Sequence, residues 1–421
     1  MNKKNGQSKT LFGQNLEAFL DYLESLKEVL PAVMSIIRIN HQISDKRLDD
    51  FIEKYGKNIK VAKKIKTFSI APEDNQKFKS LKKPKELSEM AFKVIPRSLF
   101  NSLITQFDVF IRQAVRLILL EQTGILNSSE KQICFKELCD FNSIDEAKNF
   151  LIEKEIDGIL RESHEEHFVW LEKKLGMVLR KDLDIWPIFV ELTERRNLFT
   201  HCDGVVNPQY IRICAKHKFV FTSKPKIGDT LSIGPEYFYS SYDCLREIAV
   251  KLTHVVWRKL LPSENDIADD SLNELIYNLI RKGEYKIADR LLIFATEILK
   301  QHPSETTLNC LIMNKALSKL LGGDKDGARR IVENKDWSAC SDDFKLGKEI
   351  ILGNNKNVFE LMEKIGQKGD LVTKIAYRDW PLFSQIKKSK KFQEIFKNIF
   401  KEEYMDKKEI KKKYHLKLEV V

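Results

Sequence analysis

The longest regular apolar pattern in the chain runs from Pro96 to Thr123, and it restricts the fold more than any other feature. Apolar residues recur there every three or four positions, at Leu99, Leu103, Phe107, Phe110, Ala114, Leu117 and Ile118. This spacing places them on one face of an α-helix, and that face must be buried against other elements. Gly124 is expected to end the helix, which leaves Asp108, Arg112 and Arg116 on its outer side.

Similar patterns elsewhere predict a chain built almost entirely of helices, so the expected fold class is all-α. The region from Tyr210 to Ile233, rich in turn residues, is expected to be irregular. The predicted helices run from about 16 to 30, ending before Pro31, from 32 to 41, from 144 to about 160 behind a capping box at Ser143, from 168 to 178, and from 235 to 261.

The stretch from Trp186 to Tyr210 predicts an amphipathic helix with a polar pocket at its end. Pro187 suits the first turn, and Gly204 is expected to stop the helix. Arg196 falls on the inward stripe with Leu192 and Phe199, where a charge requires a partner. Three polar residues share a neighbouring face, about 100° away: Glu194, Asn197 and His201.

These residues resemble the signature of the HEPN superfamily of ribonucleases, in which an arginine and a polar residue are followed by three residues and a histidine. The signature here is Arg196, Asn197, Leu198, Phe199, Thr200 and His201. The following Gly204, Val205, Val206, Asn207 and Tyr210 also resemble the turn after the motif in that family. The resemblance covers roughly residues 95 to 261 and implies a helical bundle that cleaves RNA.

The chemistry of RNA cleavage independently explains why an arginine and a histidine would form such a motif. Cleaving RNA without a metal requires a proton acceptor for the ribose 2′-OH, a proton donor for the leaving oxygen and a cation near the phosphorane. A guanidinium grips phosphate oxygens and a histidine titrates near neutrality, so Arg196 is expected to hold the phosphate and His201 to exchange the proton. Asn197 is expected to orient one of them or to contact the RNA. We therefore predict an endoribonuclease that uses no cofactor and no metal.

Further contacts with the RNA are expected from Arg195 and Glu194 beside the motif, and from Lys63 and Lys64 in the basic segment before it. On an ideal helix the Cβ directions of Arg196 and His201 differ by roughly 140°. On a single helix the side chains of Arg196 and His201 are therefore poorly oriented to contact the same phosphate, unless the helix end is distorted. The resemblance implies a composite cleft between two protomers, and we expect a homodimer.

Two alternatives remain open. In the first, Arg196 pairs with Glu194 or Glu191 and His201 merely caps the helix C-terminus. In the second, a HEPN-like bundle serves only as a dimerisation and nucleotide-binding or RNA-binding platform, while the C-terminal helices recruit a protein partner. Neither is decided by the residue pattern.

Histidines and cysteines elsewhere invite a metal interpretation, which their spacing does not favour. His164 and His167 are three positions apart, whereas zinc metalloproteases of the HExxH type separate theirs by four, so both are expected at a helix surface. The set His201, Cys202, Cys214 and His217 lacks the short spacing of structural zinc sites. The seven scattered cysteines are expected to be reduced thiols.

Beyond residue 263 the sequence predicts helix pairs at 272–299, 308–332 and 344–365, with a closing helix near Phe392. They resemble tetratricopeptide-type repeats, which usually form interaction surfaces, so we expect a regulatory role and a possible protein partner there.

The charge balance favours an anionic partner, and RNA is the natural candidate. The chain carries 72 Lys and Arg against 61 Asp and Glu, a net charge of +11. The segment from Glu53 to Glu86 contains eleven lysines and four acidic residues. This composition suits either a positively charged surface that binds an RNA backbone or a solvated connector.

The expected organisation is a basic helical extension (1–92), a HEPN-like domain (93–262) and a helical-repeat domain (263–421). Because no signal peptide and no membrane-spanning run is recognised, we expect a cytoplasmic protein.

Overall fold

The fold of the chain is almost entirely helical, as its apolar periodicity predicts. The computed structural model describes residues 10–62, 65–122, 124–127, 132–181 and 183–405. The described residues divide into two compact units between Val256 and Trp257, in the last turns of a helix and a few residues before the predicted boundary at 262/263. None of the described helices combines the length and the apolar character that crossing a bilayer requires.

Nine helices are described in the part of the chain that forms the first unit, the last of which runs on past Val256. They are α1 (Leu11–Tyr55), α2 (Asn75–Glu121), α3 (Gly124–Asn127), α4 (Phe135–Leu138), α5 (Ile144–Leu160), α6 (His164–Leu175), α7 (Trp186–His201), α8 (Pro208–Lys216) and α9 (Pro235–Leu260).

The two longest helices, α1 and α2, pack along each other as an antiparallel pair. The prediction that Pro31 ends a helix is wrong, because α1 continues through it, and α2 likewise passes through Pro84 and Pro96. A proline removes one hydrogen bond, and long-range packing offsets that cost here. Phe19 stacks at 4.9 Å on Phe110 near one end of the pair, and further along it Asp45 pairs with Lys85 at 2.5 Å.

The predicted boundary between residues 92 and 93 therefore falls inside α2. The basic extension and the predicted HEPN-like domain share this helix, so the structure does not separate them at that position.

A two-stranded hairpin corrects the all-α prediction locally. Strand β1 (Lys57–Ala62) pairs antiparallel with β2 (Ile65–Ser69) in the lysine-rich segment, and these are the only strands among the described residues. Aromatic contacts join the hairpin to the helix pair, since Phe68 packs edge-on against Phe78 at 5.6 Å. Lys63 and Lys64 lie outside the described residues.

The region after α7 is more ordered than predicted. Residues 208–216 form α8, which begins where the Asn207 side chain accepts a hydrogen bond from Tyr210 N at 2.9 Å. The stretch from 217 to 234 is irregular, as expected, apart from one bridge between Val205 and Thr230. The capping box predicted at Ser143 is half present: the Ser143 hydroxyl accepts from Glu146 N at 3.1 Å, whereas the Glu146 side chain accepts from Asn142 N at 2.8 Å.

The second unit contains the three predicted helix pairs. They are α10 (Asn265–Lys282) with α11 (Tyr285–Ile293), α12 (Glu305–Leu321) with α13 (Lys325–Glu333), and α14 (Asp342–Leu352) with α15 (Asn355–Ile365), followed by α16 (Lys374–Asp379) and α17 (Lys390–Phe400). Gly283 and Gly353 end the first helix of two pairs with φ of 80° and 77°, a conformation that other residues rarely adopt.

A buried ion cluster ties the loop after α11 to the start of this unit. Asp269 pairs with Arg258, and its Oδ2 lies 3.0 Å from His302 Nδ1. The other ring nitrogen of His302 lies 3.0 Å from the carbonyl oxygen of Ala295. The hydrogen bond with Asp269 raises the pKa of His302 above its ordinary 6.5, although burial opposes the shift.

Replacing His302 by alanine is expected to lower the free energy of unfolding by about 2 kcal/mol at acidic pH, because Asp269 loses a charged partner. A raised pKa means that this contribution is fully present below the unfolded-state pKa and is lost as the pH rises through the folded-state pKa. Urea unfolding of both proteins at about pH 5.5 and pH 9 measures it. A difference that grows toward high pH would contradict the assignment.

Candidate functional site

The helix that carries the motif is anchored at both ends. Pro187 lies in the first turn of α7, as predicted, and the last helical residue is His201. Arg97 of α2 donates to the carbonyl oxygen of Phe199, pairs with Asp203 at 2.5 Å and lies over the Phe199 ring at 4.9 Å. Such a cation satisfies carbonyl groups that a helix C-terminus leaves unpaired.

The turn after α7 requires glycine. Gly204 has φ of 79°, and a Cβ at this position would lie 2.9 Å from the Phe199 ring. Its N–H donates to the carbonyl oxygen of Leu198 at 3.0 Å and thereby closes the helix end.

The polar residues of α7 open into one cavity of about 440 Å³. Four of the predicted site residues line it together, namely Arg196, Asn197, His201 and Glu194. The remaining lining residues are Asp108, Leu160, Arg161, Glu162, Ser163, His164, His167, Leu198, Cys202, Asn207, Gln209 and Tyr210. Arg195 does not line this cavity.

Arg196 is held by Asn197 and by a carboxylate, Asp108, that the sequence pattern did not indicate. Its Nη2 donates to Asp108 Oδ2 at 2.7 Å, and its Nη1 donates to Asn197 Oδ1 at 3.2 Å. The alternatives Glu194 and Glu191 are therefore not its partners. Asp108, expected on the outer side of its helix, faces the cavity instead, while Arg112 and Arg116 pair with α5 at Glu153.

Asp108 joins Arg196 to a histidine. Its second oxygen, Oδ1, lies 2.7 Å from His164 Nε2. Burial raises the pKa of Asp108, but the hydrogen bond from His164 and the charge of Arg196 outweigh it, so the pKa lies below its ordinary value. Asp108 is therefore a carboxylate at neutral pH.

The prediction that His164 and His167 lie at the surface is wrong. They are 8% and 2% exposed, because the first turns of α6 pack against α2 and α7. The His164 ring lies 6.2 Å from Phe107 and 6.0 Å from Phe189. Burial and the neighbouring His164 lower the pKa of His167 to about 4. Their three-residue spacing continues the apolar stripe of α6, a signal for burial in the sequence.

Asn197 connects two charged groups of the cavity. Its Oδ1 accepts from Arg196, and its Nδ2 donates to Glu194 Oε1 at 3.3 Å. Burial raises the pKa of Glu194, and the hydrogen bond from Asn197 opposes that shift. Asn197 therefore links the side chains of Arg196 and Glu194, and its role in the chemistry stays a prediction.

Arg195 belongs to a separate buried cluster around Glu191, which is fully buried. Its Nε donates to Glu191 Oε1 at 2.7 Å, and its guanidinium lies 3.8 Å from the Tyr237 ring centroid. The hydroxyl groups of Tyr210 and Tyr237 also donate to Glu191, at 2.5 and 2.7 Å. Burial raises the pKa of both tyrosines, with the Glu191 charge adding to it. This cluster joins α7 to α8 and α9.

His201 is exposed at the mouth of the cavity, at the C-terminal end of α7. The neighbouring Cys214 and His217 do not join it as metal ligands. His217 accepts from Trp186 Nε1 at 3.3 Å and contacts Glu165 at 3.0 Å, and Cys214 is fully buried. Across the described ranges, no group of three or more His, Cys, Asp or Glu side chains is arranged to hold a metal ion.

The cavity thus combines the Arg196 guanidinium, which is fixed on two sides, with three carboxyl side chains and three histidines, of which one is exposed; Arg161 lines it as well. No family model, curated protein or solved structure matches this chain.

Proposed function

We propose that the chain is a metal-independent RNA endonuclease of the HEPN type. The observation that carries the proposal is that Arg196, Asn197 and His201 line one cavity of about 440 Å³. Pockets of roughly 300–1,000 Å³ accommodate small organic ligands, a size class that includes a nucleotide. The resemblance also favours a role as a toxin or as an antiviral, abortive-infection effector.

In this proposal the neighbouring ribose 2′-OH attacks the scissile phosphate. Arg196 neutralises the phosphorane, and its contacts to Asp108 and Asn197 hold the guanidinium before the RNA arrives. A cation fixed in advance costs no reorganisation during the reaction. His201, exposed at the cavity, transfers the proton, and Asn197 orients Arg196.

The test is the chemistry of the product ends. We expect cleavage to persist in EDTA, to fail when the scissile ribose is 2′-deoxy or 2′-O-methyl, and to yield 2′,3′-cyclic phosphate and 5′-hydroxyl ends. Phosphatase and kinase treatment of the products identifies these ends. A 5′-phosphate product, or a strict magnesium requirement, would exclude the proposed chemistry.

The ion pair between Arg196 and Asp108 also favours a second candidate, a non-catalytic platform that binds a nucleotide or RNA. A carboxylate at 2.7 Å offsets the guanidinium charge, as in a structural ion pair. RNA binding without any cleavage of total cellular RNA by the purified chain would favour this candidate.

The proposed ribonuclease function also implies partners for this chain. We propose RNA as substrate and a second copy of the chain as partner, because one helix aims Arg196 and His201 poorly at one phosphate. If light scattering shows a monomer under conditions in which the chain cleaves RNA at its full rate, a dimer is not required. The tetratricopeptide-like interaction role of residues 263–421 stays a prediction from the sequence.

A further inference from the structure

Cleavage by 2′-OH attack requires two proton transfers, and the proposed motif supplies one histidine. One group must remove the proton from the 2′-OH, and another must protonate the leaving 5′ oxygen. Besides Asp108, which pairs with Arg196, and Glu162, three further acidic or imidazole side chains of the same cavity are candidates for the second group: His164, His167 and Glu194.

Two of these candidates are poorly suited. His167 is 2% exposed, and neither of its ring nitrogens has a hydrogen-bond partner among the described residues. Burial and the neighbouring His164 also lower its pKa to about 4, so it is a weak base at neutral pH. Glu194 is held by Asn197 at 3.3 Å and has no cation among its described hydrogen-bond partners. Burial raises the pKa of Glu194, which suits a proton acceptor, so it is the orientation by Asp108 that favours His164 over Glu194.

His164 has the geometry of an oriented base. Asp108 Oδ1 lies 2.7 Å from its Nε2, so the carboxylate favours the tautomer that carries the proton on Nε2. The lone pair is then on Nδ1, the nitrogen for which no hydrogen bond is found among the described residues. The same carboxylate stabilises the imidazolium once His164 has taken a proton, as in the serine hydrolase triad.

We propose that His164, oriented by Asp108, is a further catalytic residue that acts as the general base, with His201 as the general acid of the same cavity. This inference rests on the proposed ribonuclease function. His164 removes the proton of the 2′-OH, the O2′–P bond forms, and the P–O5′ bond breaks while His201 in its protonated form gives its proton to O5′. The products are a 2′,3′-cyclic phosphate and a 5′-hydroxyl, and a later proton exchange with water restores both histidines.

Charged groups from α2 and α7 and a neutral histidine from α6 face His164 and affect this step. Asp108 of α2 favours the protonated ring, and Glu194 of α7 adds to this effect. Arg196 of α7, bonded to the other oxygen of Asp108, opposes it. His167 lies 5.2 Å away on α6 and stays neutral because burial lowers its pKa to about 4.

The test uses the full chain and two RNAs of one sequence, chosen so that the wild type cuts it at a mapped phosphate. One RNA has the natural oxygen leaving group, and the other has sulfur in place of the bridging O5′. A thiolate leaves without protonation, so only the loss of a base slows cleavage of the sulfur substrate. His164→Gln keeps a donor toward Asp108 but accepts no proton.

We expect His164→Gln to slow cleavage of both RNAs by about 100-fold or more, the usual size of a lost proton-transfer group. It also removes the increase of kcat/KM with pH that a histidine base produces. His201→Ala is expected to lose as much on the oxygen RNA and to recover to within about tenfold of wild type on the sulfur RNA. The control His41→Gln, at a histidine outside the cavity, is expected to cleave both RNAs at near wild-type rates.

If His164→Gln fails to fold, Asp108→Asn takes its place, because it keeps the side-chain shape and removes the charge that stabilises the imidazolium. It is expected to slow both RNAs, without recovery on the sulfur RNA. A folded His164→Gln variant with wild-type rates, beside an inactive His201→Ala, would overturn the inference and leave the ribonuclease proposal standing. If the His164→Gln variant recovers its cleavage rate on the sulfur RNA, His164 is the general acid, and its assignment as the general base is overturned. Absence of cyclic phosphate from wild-type reactions would overturn both.

Discussion

Replacing Arg196 or His201 by alanine is expected to abolish RNA cleavage, a loss of about 100- to 1,000-fold or more for each variant. Arg196 is the cation that neutralises the phosphorane, and His201 is the proton-transfer group exposed at the cavity. The melting temperature is expected to change little. His201 is exposed, and Asp108 keeps its contact with His164 when Arg196 is removed. Cleavage of total cellular RNA and thermal melting of each purified variant measure the two effects.

Arg329→Ala is the matched control, because this arginine is exposed on α13 in the second unit. It is expected to cleave at the wild-type rate. Mixing the Arg196→Ala chain with the His201→Ala chain tests the composite cleft, since a dimer that shares residues regains part of its activity. Full cleavage by either single variant would remove the motif from the chemistry.

Replacing Glu191 by alanine is expected to destabilise the first unit by about 3–5 kcal/mol, the size found when one partner of a buried ion pair is removed. Glu191 is fully buried and accepts hydrogen bonds from Tyr210, Tyr237 and Arg195. The variant leaves two hydroxyl groups and a guanidinium, 13% exposed in its side chain, without their acceptor. This loss is comparable to the whole stability of many domains, so partial unfolding of the variant is expected.

Urea unfolding followed by circular dichroism measures this effect. Glu191→Gln keeps an acceptor and is expected to lose less than the alanine variant. Glu236→Ala removes an exposed glutamate beside Tyr237 and is expected to change the stability by less than about 0.5 kcal/mol. A Glu191→Ala variant within about 1 kcal/mol of wild type would mean that the cluster does not hold α7 in place.

The two predictions assign different roles to two arginines that are adjacent in the chain. Arg195 and Arg196 are adjacent in the chain, and on a helix successive side chains point about 100° apart. Arg195 turns toward the buried Glu191, whereas Arg196 turns toward Asp108 and the cavity. Loss of folding is therefore expected from the first cluster, and loss of cleavage from the second.

Local patterns in the sequence were sufficient for most helices and for part of the site. The three-to-four spacing of apolar residues predicts helices wherever one face is buried, and it placed α7, α9 and the three helix pairs of the second unit. Pro187 and Gly204 marked the start and the closing turn of α7, because proline restricts and glycine widens the backbone conformations available at its own position. For the same reason Arg196, Asn197 and His201, separated by at most five positions, were recognisable as one polar group.

Contacts between distant segments were decided only by the tertiary structure. Asp108 is 88 positions from Arg196 and 56 from His164, so no local pattern connects them. Packing of α6 against α2 and α7 buries His164 and His167, and packing of α1 along α2 offsets the cost of the prolines inside both helices. Helical propensity and periodicity act over a few residues, whereas burial and ion pairing depend on which distant helix faces a side chain. The sequence by itself determined most of the helices and the motif, and the tertiary structure alone decided which carboxylate pairs with Arg196 and which histidine that carboxylate contacts.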